Sequence, residues 1–327
     1  MDLSNANRII IIRLSSLGDI LLTTPLIRSI KKNFENIKID FLLREEYKDT
    51  LSYNPYINKS YFYQRNDNSK VFESLSSSKY DLCIDLQNNL RSSKFASLLN
   101  CSKVKFQKHT IDKFLLVNFK INRLRGLPPI PVRYASSLKG FQLDDEGLDL
   151  FLPEGLKTSV KKQENTIGFC PGSRHLTKMW PEEYFIELGN MLVSEGFNIA
   201  LLGGKSDREV CKRISEKIPL SVDLSNNDDL LGIASEMKNC KLIVCNDSGM
   251  LHTACAVKTP VAVFFGSTVG EFGFIPYNNR NLILQNNCLS CRPCSHIGRE
   301  KCPKGHFKCM LEVTPQKALN EILGMLK

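Results

Sequence analysis

The sequence predicts an α/β protein built from two successive doubly wound domains, each a parallel sheet covered by helices. Three observations lead there. The chain has 327 residues, too many for one ordinary domain and suited to two of middle size. Short apolar runs of strand length alternate with helical patterns. The alternation halts at a polar stretch rich in Pro, Gly, Lys and Glu, residues 153–165, and then restarts.

Arg8-Ile9-Ile10-Ile11-Ile12-Arg13 reads as a strand buried on both faces. A helical pattern follows from about Asp19 to Lys32. Ile37–Leu43 and Asp81–Leu86 read as further strands. After the polar stretch, Thr166–Cys170 is a strand and Pro181–Glu195 a helix. Pro181 suits a first helical position, Glu182 and Glu183 suit the first turn, and Gly196 can close the helix. Phe185, Leu188 and Leu192 share one face. Asn198–Leu202 is a strand, Ser206–Lys217 a helix, Lys241–Cys245 a strand, Ser248–Val257 a short helix and Pro260–Phe265 a strand. Pro315–Lys327 is a closing helix with Ala318, Leu319, Ile322 and Leu326 on one side. The expected domains are 1–153 and 166–314, with 154–165 as linker and 315–327 as the closing helix.

No apolar run approaches the ~18–20 residues that span a bilayer. Met1–Leu14 lacks the length and the cleavage site of a secretory signal, so the reading is cytoplasmic. Reduced thiols are then the default for the twelve cysteines. Cys83, Cys170, Cys245 and Cys255 lie at apolar positions and read as small core residues. The net charge of +10 concentrates between Arg91 and Arg133, where ten Lys and Arg face only Asp112. Such a stretch attracts nucleic acid, phosphorylated sugar or an acidic membrane, unless it is simply a solvated face.

Ligands of doubly wound sheets sit beyond the carboxyl ends of the strands, so the turns after strands carry the chemistry. After the first strand comes Leu14-Ser15-Ser16-Leu17-Gly18-Asp19. Gly18 permits a tight turn. From its spacing alone Asp19 reads first as a helix-capping residue, and second as a carboxylate able to take the proton of an attacking hydroxyl. The dinucleotide fingerprint G-x-G-x-x-G is absent. After Cys170, the turn Pro171-Gly172-Ser173-Arg174-His175-Leu176-Thr177-Lys178 puts Arg174 and Lys178 beside a helix start, which suits a diphosphate. Ser206 and Glu209 match a capping box, which leaves little for Glu209 to do with a nucleotide. The turn Asn246-Asp247-Ser248-Gly249 opens a helix carrying His252. Its backbone N–H groups suit a phosphate, and Asp247 suits sugar hydroxyls. Phe265-Gly266-Ser267-Thr268 ends the next strand near the same edge.

At these residues the chain resembles glycosyltransferase family 9, the ADP-heptose:lipopolysaccharide heptosyltransferases. The matching blocks are Arg13 to Asp19 with Thr24-Pro25, Pro171-Gly172-Ser173 with Lys178 and Trp180-Pro181, and Asn246 to Gly249 with His252, then Phe265 to Thr268. The resemblance implies a GT-B fold, two Rossmann-like domains facing a central cleft. The acceptor would bind the first domain and the nucleotide-sugar the second. It implies inverting transfer with no metal, Asp19 as general base, Lys178 on the donor phosphates, and Asp247, Ser248, Gly249 and His252 as the donor loop. The family often has Thr at the place of Ser248. Ser173, Arg174, Glu209 and Thr268 join the candidate donor set. Ser16, Gly18 and Arg91 are the candidate acceptor contacts. The closing helix is expected on the first domain, as in other GT-B proteins.

Partners implied are ADP-heptose, an anionic glycolipid acceptor of the lipopolysaccharide inner core, and the cytoplasmic surface of the inner membrane. Cys288, Cys291, Cys294, Cys302 and Cys309, with His296 and His306 nearby, read first as a zinc site. Cys302-Pro303, Gly305-His306 and Cys309-Met310 match the family's C-terminal stretch, which implies a structural element without required metal. A basic nucleic-acid-binding protein is the competing class. Few aromatics punctuate the basic stretch and no RNA-binding signature appears, so no nucleic acid is expected. Another nucleotide-sugar enzyme on the same fold, such as an epimerase, is the other alternative.

Overall fold

The computed structural model describes residues 3–64, 66 and 68–327. The chain divides into two compact units, Met1–His109 with Pro128–Phe151, and Thr110–Leu127 with Leu152–Lys327. The first unit holds β1 (Arg8–Ile12), β2 (Lys38–Arg44), β3 (Lys59–Tyr63), β4 (Leu82–Asp85) and β5 (Ser102–Lys105), all parallel, in the order β3-β2-β1-β4-β5. Ile9 to Ile12 are fully buried, as a central strand covered on both faces requires. The strand order reverses between β1 and β4. The turns after those two strands therefore flank the sheet's switch point.

Around this sheet lie α1 (Leu17–Leu21), α2 (Thr24–Asn33), α3 (Ser69–Ser76) and α4 (Leu90–Ser97). Next in the chain, α5 (Thr110–Phe119) belongs to the second unit, and α6 (Ile130–Ala135) returns to the first. The single helix expected over 19–32 is two. Thr23 and Thr24 turn their hydroxyls onto the carbonyls of Ile20 and Leu21, at 2.6 and 2.7 Å. Pro25 lies in the first turn of α2, and its ring has no N–H to continue an earlier ladder.

Arg28 ties α2 to the chain that leaves the unit. Its guanidinium is 2% exposed and donates to Asp144 (2.9 and 2.5 Å), to the carbonyl of Gly147 (2.8 Å) and to Asp149. Arg28 hydrogen bonding holds the Asp144 carboxyl down at about 2. That carboxylate's contribution is complete above its unfolded value near ~3.9 and is lost as pH falls toward 2. Arg28→Met takes the guanidinium from Asp144 and Asp149 and leaves Asp144 with Lys32. It should destabilise this unit by about 3–5 kcal/mol. Thermal melts of both proteins from pH 5 to pH 2 check this, because the variant should lose the part of the acid sensitivity that Asp144 supplies.

The second unit holds β6 (Thr166–Cys170), β7 (Asn198–Leu201), β8 (Ser221–Asp223), β9 (Leu242–Asn246), β10 (Val261–Phe265) and β11 (Asn281–Gln285), in the order β11-β10-β9-β6-β7-β8, again parallel. Its helices are α7 (Glu182–Ser194), α8 (Arg208–Ser215), α9 (Leu230–Asn239), α10 (Gly249–Ala256), α11 (Lys308–Leu311) and α12 (Pro315–Leu326). Here the order reverses between β6 and β9. The predicted face of α7 holds, with Phe185, Leu188 and Leu192 fully buried. Trp180 stacks on Phe264 at 4.0 Å between centroids.

Three expectations are corrected here. The closing helix α12 packs in the second unit, where Ala318, Leu319 and Ile322 join Met310 and Val313 in the core shared with α7. The expected linker is also part of that unit. Ser159 and Val160 donate their N–H groups to Glu236 of α9 at 2.7 and 2.8 Å. The basic stretch expected in the first domain is split, because residues 110–127 belong to the second unit. Leu116 and Leu124 are buried there with Phe272, which outweighs chain order.

Candidate active site

In the first unit the site grows from the turns after β1 and β4. Asp85 ends β4 fully buried and accepts from Gln87 N (3.0 Å), Asn88 N (2.7 Å) and Ser92 Oγ (2.8 Å). This fixes Gln87. Its side-chain oxygen accepts from the N–H groups of Leu14 and Ser15 at 2.9 and 3.2 Å, so the β4 turn sets the β1 turn.

Asp19 sits in that braced turn, within α1. One carboxylate oxygen pairs with Arg13 at 2.6 Å. The other accepts from Ser16 N at 2.9 Å and Ser16 Oγ at 2.7 Å. Asp19 thus satisfies a helix-start N–H, as the capping reading expects, and is also ion-paired. Arg13 is nearly buried, donates to Leu86 O at 2.7 Å and lies over the Tyr134 ring. Lys108 stands in the same electrostatic neighbourhood. Burial, then the Arg13 charge, draws it below the usual lysine value. Gly18 is buried and Ser16 exposed, while Arg91 is exposed on the first turn of α4.

In the sequence Arg13 stands in the matched motif with no role of its own, Lys108 is one cation of the basic stretch, and nothing marks Asp85 or Gln87. Cation and carboxylate six residues apart around a tight turn were the available signal for Arg13. Gln87 gave none, because its role comes from sheet order.

In the second unit the turns after β6 and β9 meet. Lys178 Nζ pairs with Asp247 Oδ2 at 2.7 Å, and Thr268 Oγ1 donates to the same oxygen at 2.6 Å. Asn246 supports this from behind, accepting from Trp180 N at 2.9 Å and donating to Pro171 O at 2.7 Å. Thr177 Oγ1 donates to Ser267 Oγ at 3.0 Å. Three candidates from distant places in the sequence, Lys178, Asp247 and Thr268, are therefore one cluster. Lys178 closes a 3-10 turn, Leu176–Lys178, and is aimed at Asp247 rather than at the start of α7.

Ser248 and Gly249 head α10, and Ser248 Oγ is buried with no hydrogen-bond partner among the described residues. His252 is buried one turn on. Ser173 is half-buried and Arg174 exposed. Gly266 is glycine because a Cβ there would meet Thr177 O at 2.7 Å, and close approach of these turns forbids it. Arg292, absent from the sequence reading, donates to the carbonyls of Gly266 (2.7 Å) and Thr268 (2.9 Å) and fixes the Thr268 turn. A cavity of about 520 Å³ opens beside it, lined by Leu124, Val269, Glu271, Gln285 and Arg292 among others.

Glu209 is exposed, and the expected Ser206–Glu209 capping box is replaced. Ser206 Oγ donates to Asp207 at 3.2 Å, and Asp207 accepts from Gly204 N at 3.3 Å. Asp207 wins because it lies against Gly172 and Gly203, where any Cβ would collide with it.

Among the described residues the late cysteines form no disulfide, and Cys291, Cys294, Cys302 and Cys309 lie close enough to one another to interact electrostatically. Cys288 is exposed, Cys309 is buried in the core, and Cys291 Sγ lies 3.8 Å from His306 Nε2. Burial pushes the Cys309 thiol up to about 11. Among the described residues, no three His, Cys, Asp or Glu side chains stand together as a metal-holding set.

Residues 69–304 match the model of glycosyltransferase family 9 (heptosyltransferase). The chain belongs to glycosyltransferase family 9. This family 9 chain is 25% identical to lipooligosaccharide heptosyltransferase 2 of Haemophilus influenzae, over 97% of its own length and 99% of that protein. Its fold is that of the Escherichia coli ADP-heptose heptosyltransferase II, with a TM-score of 0.75 at 22% identity and 98% coverage of both chains. The Escherichia coli heptosyltransferase WaaC with ADP gives a TM-score of 0.71 at 20% identity, covering 97% and 99%. As a family 9 member the protein is a glycosyltransferase, and its two Rossmann-like units are those of the GT-B class. Among the described residues no helix is long and apolar enough to cross a membrane.

Proposed function

We propose that this enzyme moves a heptose from ADP-heptose to a lipopolysaccharide inner-core acceptor, with inversion and without a metal ion. The observation that carries the donor half is the Lys178, Asp247 and Thr268 cluster beside the buried, unpartnered hydroxyl of Ser248. A cation, a helix N-terminus and an unused hydroxyl suit a diphosphate. The similarity in sequence and fold to enzymes that carry heptosyltransferase names supports the choice of sugar and acceptor.

In the proposed reaction, an acceptor hydroxyl oxygen attacks the anomeric carbon on the face opposite the diphosphate. The new carbon–oxygen bond forms as the bond to the diphosphate breaks. Asp19 takes the hydroxyl proton, and ADP leaves with the electron pair. Charge growing on the leaving diphosphate is met by Lys178, with Arg174 nearby in sequence, which favours the transition state over the ground state. Thr268 holds the Asp247 carboxylate, and Arg292 holds the turn that carries Thr268. We assign Ser173, Asp247, Ser248, Gly249 and His252 to the donor, Ser16, Gly18 and Arg91 to the acceptor, and a structural role to the late cysteines. The acceptor is a glycolipid, so the enzyme would work at the cytoplasmic face of the inner membrane.

The test is ADP release from ADP-heptose by wild-type protein, with and without a core acceptor lacking its heptose. Release that requires the acceptor is expected. Donor conversion that proceeds equally without acceptor would point to an isomerase or hydrolase. No turnover or binding with ADP-heptose would remove the donor assignment.

A further inference from the structure

Helix α5 turns an apolar face to solvent. Ile111, Phe114 and Phe119 are 72%, 57% and 62% exposed. Their spacing puts them on one side of the helix, and the rings of Phe114 and Phe119 meet edge to face at 6.0 Å. The opposite side holds the helix in place, through Leu116 buried with Leu124 and Phe272. The outward face therefore does no folding work, and an exposed apolar cluster of this kind marks an interaction site.

Charge says what the face fits. Residues 110–127 carry Lys113, Lys120, Arg123 and Arg125 against one acid, Asp112. Arg123 and Arg125 are exposed. Lys120 donates to the carbonyls of Val117, Cys291 and Pro293 at 3.0, 3.1 and 2.6 Å, which anchors the end of α5 to the rest of the unit. Lys304 adds to the positive field there. A second copy of this chain would bring the same cations against these, which like-charge repulsion opposes. Aromatic rings rimmed by cations suit an anionic bilayer, where the rings enter the acyl boundary and the cations meet headgroup phosphates.

We propose that α5 and the basic turn after it, residues 120–125, dock the enzyme on an anionic phospholipid surface. The proposal rests on the reading of a lipid-borne acceptor, but its test uses no sugar. Co-sedimentation with phosphatidylglycerol-containing vesicles is compared with pure phosphatidylcholine vesicles. Wild type should partition at least about ten-fold better onto the anionic ones. Arg123→Glu with Arg125→Glu should cost roughly five-fold for each cation removed. Ile111→Ser, Phe114→Ser and Phe119→Ser together should cost about ten-fold or more by removing the buried apolar area. That triple variant should keep ADP release on a de-acylated, soluble acceptor within about two-fold.

A second readout does not depend on lost binding. The native Trp180, the sole tryptophan, is 1% exposed and lies in the core. In the Phe114→Trp variant, brominated anionic vesicles should quench only the new indole. The proposal is overturned if wild type ignores anionic vesicles, if the serine variant binds as tightly, or if the indole introduced by Phe114→Trp is not quenched. It is also overturned if the wild type sediments as a dimer that the serine variant dissolves. Vesicle binding that persists in a protein inactive on ADP-heptose would leave this surface standing and count against the proposed function alone.

Discussion

Asp19→Asn should lower kcat for acceptor-dependent ADP release by about 10²–10⁴-fold, the range of general base contributions. The apparent KM for ADP-heptose should stay within a few-fold. Asparagine suits the experiment because its amide oxygen can still accept a hydrogen bond from the nearly buried Arg13, although it no longer supplies the counter-charge. The other carboxylate oxygen, which accepts from Ser16 N and Oγ, becomes an amide N–H. Losing that helix-start bond should cost about 1 kcal/mol, and the missing counter-charge to Arg13 adds to that loss. The two readings of Asp19 thus separate cleanly. A residue that only caps α1 would lower the melting temperature by a few degrees and leave kcat alone. A base lowers kcat far beyond what the small stability loss explains.

Lys178→Met should lower kcat/KM by about 10²–10³-fold, the scale of removing one fixed charge from a developing anion. It should also destabilise the second unit. Lys178 and Asp247 are only 15% and 7% exposed, and breaking such a pair from one side costs about 3–5 kcal/mol. Thr268 alone would be left to Asp247. The double variant Lys178→Met with Asp247→Asn removes the orphaned charge. It should recover much of the stability and none of the activity. Recovery of both would mean that Lys178 acts by neutralising Asp247 and does not meet the donor. Equilibrium binding of ADP, weaker in the single variant than in wild type, provides the independent check.

What the sequence revealed and what it hid follow from physical scale. Strands such as Arg8–Ile12 and Thr166–Cys170 were legible because burial on both faces leaves a continuous apolar run. The helix α7 was legible from its proline start, its acidic first turn and the glycine after it. The chemistry-bearing turns were legible because the sheet edge demands Gly, Ser and Asp there. The partners of those residues were not. Whether Gln87 reaches the turn after β1, or Lys178 meets Asp247, depends on β4 lying beside β1 and on β6 lying beside β9. No local pattern carries that.

The misplaced elements share a cause. For α12 and for residues 110–127, the decisive contacts are a few apolar side chains with distant partners. Ile322 is buried in the core of the second unit, and Leu116 is buried with Phe272. The capping box read at Ser206 and Glu209 failed for a related reason. The winning residue, Asp207, lies against Gly203 of its own turn and Gly172 of the turn after β6, which is distant in sequence.

Mass spectrometry of the acceptor tests the central claim most directly. A heptose-deficient lipopolysaccharide core, incubated with ADP-heptose and the wild-type enzyme, should gain one heptose residue. No gain should occur with Asp19→Asn over the same time. An acceptor left unchanged by wild-type enzyme, while ADP-heptose is consumed or remains unbound, would contradict the assignment of heptosyl transfer to this chain.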